Sequence, residues 1–131
     1  MGTNLDKFFK ANTELENEGV DFDIDDKISF KIRRFGSNNP RIKAALASYY
    51  KPYAKQVEMG TLPPEKSLEI NIKLFIDCCL VSWTGIEENG SAVEFNRENA
   101  LKLFKRLPDL FEALWKHAND FGNYKEELGN S

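Results

Sequence analysis

Apolar and polar residues alternate along Val20-Asp21-Phe22-Asp23-Ile24 and again along Ile28-Ser29-Phe30-Lys31-Ile32, with Asp25-Asp26-Lys27 between them. Alternation of period two puts one face of each segment on a core, so the pattern predicts a half-buried antiparallel hairpin. Val20, Phe22, Ile24, Ile28, Phe30 and Ile32 form its inner face. The outer face would set Asp21 and Asp23 against Lys31 and Arg33, cross-strand pairs worth roughly 0.2 to 1 kcal/mol each.

After the hairpin the period changes. Gly36-Ser37-Asn38-Asn39-Pro40 reads as a loop in which Asn39 suits a helix N-cap and Pro40 the first helical position. Ile42, Leu46, Tyr49 and Tyr53 then recur at helical spacing, predicting a helix to about Val57 with a kink at Pro52. Gly60-Thr61-Leu62-Pro63-Pro64 breaks the chain again. From Leu68 to Trp83 the segment is apolar on nearly every side, which predicts the central helix of the domain, or part of a subunit interface, stopped at Gly85. Asn89-Gly90 favours a type I′ hairpin turn or a looser loop, and Asn96 caps a helix whose buried face is Ala100, Leu101, Phe104 and Leu107. Pro108 opens the last helix, with Leu110, Phe111, Leu114, Trp115, Ala118 and Phe121 on its apolar stripe. The expected fold is α+β and mainly α: an N-terminal β-hairpin, then about four helices around a central apolar one.

With 131 residues the chain fits a single domain, and a 41% hydrophobic content is enough for a packed core. The domain is placed at residues 19–124. Leu5, Phe8, Phe9 and Leu15 give residues 1–18 only a weak helical pattern in an acidic context, which fits a mobile arm, and residues 125–131 read as a frayed tail. The longest apolar stretch is interrupted by Asn71, Lys73 and Asp77 and falls short of the ~20 residues a membrane-spanning helix needs. The first ten residues lack the apolar core of a secretory signal. A cytoplasmic protein is expected, and the adjacent Cys78 and Cys79 suit neither a disulfide framework nor each other.

Charge is strongly segregated. Residues 1–26 hold two lysines against eight acids, a net −6, whereas residues 27–57 hold eight basic residues and no acid, a net +8. The remainder returns to −5, so the whole chain carries −3. Such a basic segment can bind an acidic partner, bind nucleic acid, or be neutralised by the chain's own ends. Its pI of about 5.3 argues against duplex binding as the main task.

Catalytic chemistry is poorly supplied. His117 is the only histidine and reads as a boundary residue of the last helix. Cys78, Cys79 and His117 lack zinc-site spacing, and the glycines sit singly at turns rather than in a phosphate loop. Tyr49, Tyr50 and Tyr53 among Lys43, Lys51 and Lys55 could stack single-stranded bases, although amphipathic aromatics more often serve a core or an interface. No enzyme, metal or cofactor is expected.

Several motifs occur in a fixed order. They are the stretch from Phe30-Lys31-Ile32-Arg33-Arg34 to Asn39-Pro40, the Lys51-Pro52-Tyr53 step, Trp83-Thr84-Gly85-Ile86, the turn glycine Gly90, Phe95-Asn96-Arg97-Glu98-Asn99-Ala100, and Leu107-Pro108-Asp109-Leu110. This ordered set, spanning about Val20 to Tyr124, resembles the phage tail assembly chaperone family of long-tailed phages and prophages. The resemblance implies a non-enzymatic assembly factor that binds the tape measure protein, keeps its long helices soluble and recruits tail tube protein. It also implies a host-cytoplasmic protein absent from the mature virion, here matching the family's short form. The arm at residues 1–18 has no counterpart in that family. The expected partner surface is Ile42, Leu46, Tyr49 and Tyr53 with the basic rim Lys43, Lys51 and Lys55, facing a partner or a second copy in a homo-oligomer. The alternative is a single-stranded nucleic-acid-binding or generic interaction module using the basic segment from Lys27 to Val57.

Overall fold

A computed structural model describes residue 5 and residues 10–125. Strands β1 (Val20–Asp23) and β2 (Ser29–Ile32) pair antiparallel with Val20 opposite Ile32, Asp21 opposite Lys31 and Phe22 opposite Phe30. The expected hairpin is therefore present, and Phe30 and Ile32 are fully buried. Ile24 departs from it. Asp25 Oδ1 accepts the amides of Lys27 and Ile28, so the chain turns just after β1 and leaves Ile24 45% exposed at the lip.

The larger departure concerns the run from Leu68 to Trp83. The helix Pro64–Cys78 (α4) stops short of Trp83, and Leu80–Thr84 form β3, which pairs antiparallel with β2 to complete a sheet in the order β1-β2-β3. A continuous apolar run looks the same for a buried helix as for a buried strand, and here the free edge of β2 decides between them. Phe30 lies opposite Trp83, and Arg33 N–H donates to the Cys79 carbonyl at 2.7 Å, which fixes the helix-to-strand junction. Gly85 ends the strand rather than a helix. Its φ of +79° is left-handed, and a Cβ there would run into the Lys27 carbonyl, whose carbon lies 2.7 Å away.

Six α-helices among the described residues complete the fold. They are α1 (Thr13–Glu18), α2 (Ile42–Tyr50), α3 (Ala54–Met59), α4 (Pro64–Cys78), α5 (Arg97–Arg106) and α6 (Pro108–Asn119). Pro52 sits in a 3-10 turn, Lys51–Tyr53, that separates α2 from α3, as its missing donor requires. Helix α4 is the centre: α2 and α5 both pack on it, and Phe75 makes edge contacts with Phe104, Phe111 and Trp115 at 5.7 to 6.3 Å. The short strands β4 (Glu87–Glu88) and β5 (Ser91–Ala92) turn through Asn89 and Gly90, both at positive φ, the backbone of a type I′ hairpin. Asn96 Oδ1 caps α5 by accepting the amide of Asn99 at 2.8 Å.

One further expectation needs correction. Asn39 does not cap α2: it is 7% exposed, and its side-chain amide donates to the carbonyls of Arg34 and Cys78 while its oxygen accepts from Arg41 N–H. It ties the loop to the end of α4, so α2 begins later, at Ile42. Before the hairpin, Asn12 N–H donates to the Tyr124 carbonyl at 2.8 Å, Ala11 pairs with Lys125, and Glu16 of α1 is buried against Arg34. Tyr124 of the C-terminal turn is fully buried. Most of residues 1–9, and residues 126–131 of the expected tail, lie outside the described residues.

Candidate partner-binding surface

The charge segregation is partly resolved within the molecule. Arg34 Nη1 bonds Glu16 Oε1 at 2.6 Å and its guanidinium stacks 4.9 Å from the Phe121 ring, while Arg33 Nε donates to the Asn17 carbonyl at 2.6 Å. Lys31 lies opposite Asp21 across the hairpin. The expected Asp23 to Arg33 pairing does not form, because the register sets Asp23 opposite Ser29 and leaves Arg33 beyond the paired residues. Lys43, Lys51 and Lys55, on α2, the 3-10 turn and α3, are exposed and pair with no acid among the described residues, and the same holds for Lys27 in the hairpin turn and Arg41 just before α2.

The apolar positions expected beside those lysines divide into three kinds. Ile42 is 8% exposed and belongs to the core. Leu46 is half-buried and, with Ile42, Lys43, Phe35 and Asn39, lines a cleft of about 370 Å³. Tyr49 and Tyr53 are engaged with neighbours. Tyr49 Oη bonds Asp77 and accepts from Arg97 Nη2 at 3.1 Å, and Arg97 Nε bonds Asp77 at 2.9 Å. This trio ties α2, α4 and α5 together at one end. Burial, and then the bond to Asp77, push the Tyr49 phenol up, while the Asp77 carboxylate holds the Arg97 guanidinium more firmly protonated. Tyr53 is half-buried, with the Lys66 ammonium 5.3 Å from its ring centre. Two apolar residues absent from the expected set stand out on α3, Val57 at 47% and Met59 at 66% exposure. The stripe at four- and three-residue intervals pointed to the buried side of α2. Val57, four residues past Tyr53, continues that spacing, whereas Met59 lies off it.

The polar groups of the core offer no alternative centre. Cys78 and Cys79 are buried free thiols, both pushed up by burial and so poor nucleophiles. No group of three or more His, Cys, Asp or Glu among the described residues could hold a metal. His117 is 8% exposed, with its ring edge-on to Phe22 at 4.8 Å and burial lowering its pKa. Among the described residues no helix is long and apolar enough to cross a membrane.

A family model described as YdaY prophage protein matches residues 37–130. The chain belongs to the YdaY prophage protein family. The YdaY match starts within the loop that Asn39 anchors and takes in α2 to α6, β3 and the buried C-terminal turn, so the candidate surface on α2 and α3 lies wholly inside it. Helix α1 and the β1-β2 hairpin precede it. No curated protein and no solved structure is significantly similar to the chain. Tail assembly is a narrower role than membership of the YdaY family carries.

Proposed function

We propose that this prophage protein is a non-enzymatic tail assembly chaperone that binds the tape measure protein, keeps its helices soluble in the host cytoplasm, helps bring tail tube protein to it, and leaves before the virion matures. One observation supports this reading: Val57 and Met59 stand exposed on α3 beside Lys51 and Lys55, none of them satisfied within the fold. An apolar edge framed by like charge suits an amphipathic helix with acidic flanks, the surface a long helical substrate presents before assembly. The nucleic-acid alternative is less well supported, because Tyr49 is held by Asp77 and Arg97 and Tyr53 by Lys66, which takes both rings from base stacking.

The test is co-expression with the tape measure protein of the same prophage. The wild type should raise the soluble fraction of that protein, and the triple variant Lys51→Glu, Lys55→Glu, Met59→Asp should not. Equal solubility with and without the wild type would reject the reading. Salt-sensitive binding of single-stranded DNA by the wild type, lost in the triple variant, would favour the alternative.

A further inference from the structure

A second surface lies at the other end of the α4 and α5 pair, away from the Tyr49, Asp77 and Arg97 tie. There the first turns of α4 and the last turns of α5 leave a cleft of about 350 Å³. Ile72 and Phe104, both buried, are among its lining residues, and so are the half-buried Leu68 and Leu101. Glu65 lines the α4 wall and Lys105 the α5 wall. Both are exposed, and neither pairs with another charge among the described residues, whereas Glu69 on the same wall is already held by Lys66 and Lys73. Leu107, at the junction of α5 and α6 beside Pro108, is 42% exposed.

An apolar cleft with an unpaired carboxylate on one wall and an unpaired ammonium on the other is self-complementary. A two-fold axis along the cleft exchanges the walls, so Glu65 of one copy meets Lys105 of the next, and the reverse pair forms by symmetry. We propose that this cleft is a homodimer interface, in which Leu107 of each copy covers the apolar lining of the other and two Glu65 to Lys105 pairs close the rim. The residues differ from those of the chaperone surface, so the dimer stands or falls independently of that function. Its contact is centred on one small cleft, which places it at the weak end of specific interfaces and makes it concentration-dependent.

Sedimentation equilibrium of the full chain, from roughly micromolar to near-millimolar concentration, tests the proposal. The wild type should rise from the 15.0 kDa chain mass toward twice that value. Leu107→Asp should stay monomeric with an unchanged circular dichroism spectrum and melting temperature. Glu65→Lys alone and Lys105→Glu alone should each weaken association at least tenfold at low salt, and the double swap should restore it. A wild type that stays monomeric throughout overturns the proposal. So does a double swap no better than the singles, or a dimer indifferent to Leu107→Asp but lost in Met59→Asp.

Discussion

The phenol of Tyr124 donates a hydrogen bond of 2.9 Å to the carbonyl of Ile32, 92 residues earlier in the chain, and both residues are fully buried. The same Tyr124 accepts the Asn12 amide through its own carbonyl, so one C-terminal residue holds the inner strand β2 and the approach to α1 together. Tyr124→Phe keeps the ring but leaves the Ile32 carbonyl without its partner inside the core. It should cost about 1 to 3 kcal/mol in urea unfolding. Truncation after Asp120 also removes the buried ring and should cost more, about 3 to 5 kcal/mol. If that truncation left stability unchanged, the C-terminal turn would not be part of the core.

The Glu16 to Arg34 pair should respond unequally to removal of its two members. Glu16 is 3% exposed and its Oε2 has no hydrogen-bond partner in the fold, while Arg34 is 23% exposed and also stacks on Phe121. Arg34→Ala strands a buried carboxylate, whereas Glu16→Ala leaves a guanidinium that can reach water. The first should therefore destabilise by several kcal/mol and the second by markedly less. Thermal melts of the two single variants, with hydrogen exchange of the α1 amides, check the order. Equal losses would mean that Glu16 is hydrated in solution.

Gly85 and Gly60 are both left-handed, at φ +79° and +69°, but their surroundings differ. At Gly60 an added Cβ meets nothing within 4 Å, so Gly60→Ala should cost only the backbone strain, about 1 to 2 kcal/mol. At Gly85 the same Cβ collides with the Lys27 backbone, which is held in the hairpin turn by Asp25. Gly85→Ala should cost clearly more than Gly60→Ala in the same denaturant titration, and a reversal of that order would contradict the β2-β3 packing.

Elements coded by neighbours in sequence were legible, and those coded by distant partners were not. The alternating hairpin, the Asn89-Gly90 turn, the Asn96 cap and the restart at Pro108 each depend on a few adjacent residues, and each is present. Strand β3 depends instead on the unpaired edge of β2, some fifty residues earlier, and its apolar sequence is compatible with helix. Asn39 was legible as a helix signal, yet its decisive bond runs to the Cys78 carbonyl. The candidate surface was half legible. Its lysines follow from charge segregation alone, but the stripe of Ile42, Leu46, Tyr49 and Tyr53 marked the side of α2 that packs inward. Periodicity identifies a helix's apolar face without saying whether the chain itself or a partner covers it.

His117 provides the acid-side prediction. Burial lowers its pKa below the ordinary 6.5, with Asp120 opposing the shift, and its ring is packed by Phe22 of β1 and Tyr124 of the C-terminal turn. Its Nε2 is buried without a partner, so no acceptor is in place for a second proton. The folded state therefore favours the neutral ring. For a base with a depressed folded pKa, the stabilisation is complete above the unfolded value and is lost as pH falls through the folded one. Between about pH 7 and pH 5 the unfolded state takes up a proton that the folded state resists, before most carboxylates titrate. The melting temperature of the wild type should fall across that window. His117→Leu keeps an apolar side chain against Phe22 and Tyr124 but cannot titrate, so its melting temperature should stay nearly flat there. Parallel curves for the two proteins would show that His117 takes up its proton equally well folded and unfolded, and would place the acid response on the carboxylates instead.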